Sequence, residues 1–144
     1  MAEQLPEKIA KKIKSGWLRA WMMIEVVAVT PKAARGALEK HVGKLEKEQK
    51  SIMYKKKYHK SKKIKANFAN VSEAYSLVVE LELAAQDFDH LFFIVLNYAP
   101  SSIEILEPEK YVMDAGEAQG ILNSLSDILH RFAASRDGGI VIKG

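Results

Sequence analysis

Apolar residues recur along this chain with two periods, and the period separates helices from strands. Over residues 6–14, Ile9 and Ile13 stand about one turn apart, with Trp17 following. Lys8, Lys11, Lys12 and Lys14 take the other side, so the spacing predicts a short basic amphipathic helix ended by Ser15 and Gly16. Residues 22–30 are rich in Ile and Val with Glu25 as their only charge, which predicts a central strand apolar on nearly both faces. Thr30-Pro31 supplies an N-cap oxygen and a first-turn proline. Ala34, Leu38, His41, Val42 and Leu45 then continue at helical spacing to about Gln49.

Residues 51–66 alternate as Ile52, Tyr54, Lys56 and Tyr58 against Met53, Lys55 and Lys57, and are read as one strand. Asn, Ser and small residues over 67–73 predict a turn. Residues 74–85 alternate most regularly, with Tyr75, Leu77, Val79, Leu81 and Leu83 on one face and Ser76, Glu80 and Glu82 on the other. Asp87 is placed to cap a helix with Phe88, Leu91, Phe92, Val95 and Leu96 as its core stripe and Phe93, Ile94 and Tyr98 as a second apolar side. A short strand follows at 103–106. Asp114, with Glu117 three residues on, opens a last helix to about 134. Ile140-Val141-Ile142, after Gly138-Gly139, reads as one more short strand. The stripes predict burial of Ile24, Val26, Leu38, Val42, Leu77, Val79, Leu81, Leu91, Phe92, Val95, Ile105, Leu122, Leu125 and Leu129.

Without its terminal additions this order is βαββαβ. Over residues 20–107 it resembles the ferredoxin-like fold, an α+β arrangement of an antiparallel sheet with two helices on one face. The expected organisation is a single domain, 1–144. A basic helix (1–16) precedes the core (20–107); a long helix (114–135) and a tail or extra strand (138–144) follow it. The long helix needs a partner for its apolar face, either the open sheet face or a place beside the two helices. The run Ala99-Pro-Ser-Ser-Ile-Glu-Ile-Leu-Glu-Pro, followed by Gly116-Glu-Ala-Gln-Gly-Ile-Leu-Asn, is similar to segments of small uncharacterised archaeal proteins; this resemblance carries no activity and no functional residues.

Composition narrows the class. The 144 residues are 48% hydrophobic and 28% charged, as in an ordinary soluble globular protein. The absence of cysteine excludes a disulfide scaffold, thiolate zinc sites and cysteine nucleophiles. No segment reaches the ~18–20 apolar residues of a membrane span, and the N-terminus shows no signal-peptide pattern, so a cytoplasmic location is expected. Lys outnumbers Arg 18 to 4 and Glu outnumbers Asp 13 to 5, a bias that fits a thermophile's proteome.

The net charge of +4 hides an asymmetry. Residues 1–65 carry 18 basic and 6 acidic side chains; residues 66–144 carry 4 and 12. The densest stretch, 50–65, holds eight lysines and no acid, and needs counter-charge from nucleic-acid phosphate, a neighbouring subunit's acidic half or the chain's own.

Catalytic signatures are missing. His41, His59, His90 and His130 lack metal-ligand spacing. Asp87 and Asp89 beside His90 read more simply as a cap and a favourable first-turn acid. Glu80 and Glu82, with Glu25 on a neighbouring strand, could serve acid–base chemistry or hold Mg²⁺, or form a polar sheet face paired with lysines. No catalytic residue, metal or cofactor is therefore assigned.

Two functions lead. One is a non-enzymatic, homo-oligomeric regulatory or assembly protein; small amino-acid-binding ACT domains share the topology and bind effectors at subunit interfaces. The other is RNA or ribonucleoprotein binding. The RNA-recognition motif shares the fold class, but its two aromatic strand motifs are absent here. Binding would use Lys50, Lys55, Lys56, Lys57, Lys60, Lys62, Lys63 and Lys65, with Lys11 and Lys12 of the first helix, on the backbone, and Tyr54 and Tyr58 as stacking rings.

Overall fold

A computed structural model describes residues 4–68 and 71–134. In chain order the elements are α1 (Glu7–Lys14), β1 (Leu18–Ala28), α2 (Pro31–Glu46), β2 (Ser51–Tyr58), β3 (Lys62–Phe68), β4 (Val71–Ala85), α3 (Phe88–Tyr98), β5 (Ser102–Glu107) and α4 (Ala115–Ala134). The predicted strand at Ile140-Val141-Ile142 lies outside the described residues.

The predicted starts have a visible cause. Thr30 Oγ1 accepts the Ala33 N–H at 3.0 Å, and Pro31 occupies the first turn of α2. Asp87 accepts the His90 N–H at 2.8 Å to open α3, and Ala99, in the left-handed region at φ 47°, closes it. Asp114 accepts the Glu117 N–H at 2.8 Å to open α4. Gly16, at φ 105°, turns the chain out of α1 through a conformation that side chains disfavour.

The strands pair antiparallel in the order β2-β4-β1-β5, with β3 also on β4. Each βαβ crossover skips one strand: β1 and β2 flank β4, and β4 and β5 flank β1. This is the ferredoxin-like order, with α1 and α4 added. β2 and β3 pair with successive stretches of β4. Tyr58 lies across from Val79 and Lys62 across from Ser76, so residues 59–61 oppose 77–78 in a bulge. The single strand expected over 51–66 is thus two. The turn expected over 67–73 falls largely within β3 and β4, where pairing outweighs the turn preference of Asn and Ser. β1 also begins earlier than expected, at Leu18 rather than Met22.

Strand alternation sends Leu18, Ala20, Met22 and Ile24 of β1 to the core with Leu77, Val79, Leu81 and Leu83 of β4. The register sets Ala20 against Leu83, Met22 against Leu81 and Ile24 against Val79. Ala34, Leu38, Val42 and Leu45 of α2 cover this layer. Each of the larger side chains contributes about 1.5–3 kcal/mol by burial. In α3 the buried stripe is His90, Leu91, Ile94 and Tyr98, rotated from the predicted one. Both stripes fit a 3.6-residue period, and packing selected between them.

The chain divides into two compact units, residues 1–110 and 111–144. Five residues expected in the core are exposed: Val95 on the outer side of α3, Ile105 on the edge strand β5, and Leu122, Leu125 and Leu129 on α4. Apolar periodicity marks a face that seeks a partner; it does not say whether the fold covers that face. Among the described residues no helix is long and apolar enough to cross a membrane.

Candidate functional site

The alternation that builds the core turns Arg19, Trp21, Met23 and Glu25 of β1, and Ser76, Val78, Glu80 and Glu82 of β4, to the sheet face away from α2. Along β1–β4, Trp21 lies across from Glu82, Met23 from Glu80 and Glu25 from Val78. A register shift between Met53 and Lys55 then brings Lys55 opposite Glu82 and Lys57 opposite Glu80. The polar face expected from the sequence is observed, but of its carboxylates Glu82 alone pairs with a lysine among the described residues.

One cluster centres on Arg19. Its guanidinium meets Glu82 at 3.1 Å and Glu107 of β5 at 2.9 Å. Tyr54 donates its hydroxyl to Glu82 at 2.8 Å, and Lys55 reaches the other Glu82 oxygen at 3.5 Å. Burial, opposed by Arg19 and reinforced by Glu82, pushes the Tyr54 hydroxyl up to about 12. Burial works against the Arg19 charge, but Tyr54 and Glu107 outweigh it and raise its pKa. These groups, with Gln4, Leu5 and Pro6, line a cavity of about 690 Å³. Its charges compensate one another, so it reads as a structural network.

The second cluster centres on Glu80. His59 Nε2 contacts one carboxylate oxygen and the Trp21 indole N–H donates to the other at 3.1 Å. His59 first, and Trp21 second, hold Glu80 below the usual carboxylate range. Nearby, the buried Ser76 hydroxyl donates to Glu25. The three candidate carboxylates, Glu25, Glu80 and Glu82, therefore share a face, each with a different partner. Among the described residues no group of three or more His, Asp or Glu is arranged to hold a metal. His90 sits elsewhere, buried on α3 and stacked on Phe93 at 5.5 Å between ring centroids.

The candidate nucleic-acid residues separate into two sets. Lys11 pairs with Glu7, and Lys12 lies 4.7 Å from the centroid of the Trp17 ring. Tyr54 and Lys55 are tied to Glu82. Lys56 bonds Glu46 at 2.6 Å, which raises its pKa, and Lys63 pairs with Glu73 at 3.0 Å. The Tyr58 ring carries the Arg35 guanidinium 4.0 Å from its centroid, so one face already has a cation. Lys50, Lys57, Lys60, Lys62 and Lys65 form no ion pair among the described residues. Three of the eight lysines in 50–65 thus take their counter-charge from the chain's own acids.

Sequence reasoning placed Ser76 on this face with Glu80 and Glu82 but missed Arg19, Trp21 and Glu107 as members of it. Arg19 and Trp21 fell before the predicted strand, and Glu107 after one; extending the alternation back to Leu18 would have found the first two.

Together these features define the class: a ferredoxin-like α+β chain with a charge-paired polar sheet face and an appended amphipathic helix. The MJ0538 family model matches residues 19–143, from the first strand through the last helix, and the chain belongs to that family. No curated protein matches it.

Proposed function

We propose that the protein is a non-enzymatic, self-associating regulatory or assembly protein. The observation that carries this reading is α4. It is the one helix or strand among the described residues of its unit, and Leu122, Leu125, Leu129 and Phe132 on it are 37–61% exposed. Full burial of a wholly exposed side chain of this kind is worth about 1.5–3 kcal/mol, and the part of each still in water sets its share of that gain. Their spacing of three, four and three residues is that of a helix–helix seam, and the same seam on a second copy is complementary to it. Exposed Ile103 and Ile105 on the edge strand β5 add to the apolar surface.

The competing RNA reading has less support, because seven of its twelve candidate residues already have partners within the chain. Sedimentation velocity of the whole chain at micromolar concentration tests the proposal. A dimer or larger assembly is expected, with the double change Leu125→Glu, Leu129→Glu shifting it to monomer while circular dichroism stays unchanged. A strictly monomeric unaltered protein overturns it.

A further inference from the structure

The bulge between β2 and β3 interrupts the basic edge of the sheet, and a bulge re-aims the side chains beside it. Here it sets His59 against Glu80 and brings Lys60 and Lys62 to the rim of a cavity of about 330 Å³. The opposite rim is Glu25 on β1 with the apolar Met23 beside it, and Val78 of β4 lies between. Glu80 is occupied by His59 and Trp21. Glu25 meets only the neutral Ser76 hydroxyl, and neither lysine forms an ion pair among the described residues.

The site therefore presents two cations and one carboxylate that lack charged partners, at opposite sides of an apolar strip. Lys62 lies across from Ser76 on β4, and Glu25 across from Val78 on the other side of β4. The strands carrying them are two spacings apart, about 10 Å. A simple anion drawn to the lysines is repelled by Glu25 and Glu80, and a simple cation by the lysines. An α-amino acid carries both charged groups on one carbon and spans less of this separation than a chain with a charge at each end. We propose that this cavity binds a small zwitterion with its charges at the two ends of a short aliphatic chain, an ω-amino acid. Its carboxylate sits between Lys60 and Lys62, its ammonium on Glu25 and its methylenes over Met23 and Val78. This site lies wholly within residues 1–110 and does not depend on self-association.

Amide NMR spectra of the whole labelled chain test the assignment, with glycine, γ-aminobutyrate and ε-aminocaproate as probes and butyrate and butylammonium as single-charge controls. Saturable shifts at the amides of Glu25, Lys62 and Ser76 are expected with γ-aminobutyrate or ε-aminocaproate, and not with glycine or either control. Glu25→Gln and Lys62→Gln should each weaken binding about tenfold or more, the loss of one charge-assisted hydrogen bond. Both side chains are exposed, so the remaining resonances should stay in place and show an intact fold. No saturable shift with either longer probe, butyrate binding as well as γ-aminobutyrate, or unchanged affinity in Glu25→Gln overturns the proposal.

Discussion

Leu81 lies opposite Met22 at the centre of the sheet and is 1% exposed. Leu81→Ala should cost about 2–5 kcal/mol through the cavity left behind, read as a lower urea midpoint with unchanged slope. His90 makes a different kind of prediction. Its Nε2 is buried with no hydrogen-bond partner among the described residues. Burial lowers its pKa, with Glu48, Asp87 and Asp89 pulling the other way and Lys50 adding to the lowering. The unfolded chain therefore takes up this proton first. Stability is full above the unfolded value of about 6.5 and falls as pH drops from there to the folded value, then levels off. His90→Leu should flatten that part of a stability–pH curve measured by urea denaturation. Glu80 acts at lower pH: its folded pKa is lowered, so its contribution is present above the ordinary carboxylate range and lost as pH falls through the folded value.

At the scale of elements, the caps and the basic edge give separable effects. Thr30→Ala and Asp87→Ala each remove a side-chain acceptor from a helix start and should cost about 0.5–2 kcal/mol, measured by urea denaturation. The ion pairs of β2 are a little under half-exposed on the lysine side. Changing Lys55, Lys56 and Lys57 together to Gln should therefore lower stability by no more than about 1 kcal/mol per pair, and less at high salt. A larger loss would mean that these lysines are structural beyond their charge. The caps were legible because Thr-Pro and Asp-Phe-Asp precede apolar spacing. The bulge was not, because no Gly or Pro marks residues 59–61 and only the pairing with β4 reveals the extra residue.

For the whole molecule, the charge asymmetry is partly resolved inside the chain. Glu46, Glu73 and Glu82 each take up a lysine of the 50–65 stretch. If self-association is the function, fluorescence anisotropy with single-stranded RNA should show no binding even at low salt. Binding that weakens with salt by a log–log slope of about −0.7 per phosphate would instead favour the RNA reading. Such binding would have to run through Lys50, Lys57, Lys60, Lys62 and Lys65, which are free of ion pairs among the described residues.

Apart from the split of 51–68 into two strands, the kinds and order of the elements among the described residues were legible in the residue pattern. Alternation in 74–85, helical spacing in 31–45 and 115–132, and capping residues are local signals, so each can be read without the rest of the chain. The polar side of β4 was equally legible, because Glu80 and Glu82 share a parity opposite to Leu77, Val79, Leu81 and Leu83. Which neighbour each charge meets was not. Lys55 finds Glu82 through a register shift, Arg19 meets Glu107 across 88 residues, and Lys60 and Lys62 reach the cavity through a bulge. The buried side of α3 likewise needed the fold, since two stripes satisfy one period. Local patterns specify which way a side chain faces within its element; the surface it faces is set by strand order and register, which depend on contacts between residues far apart in the chain.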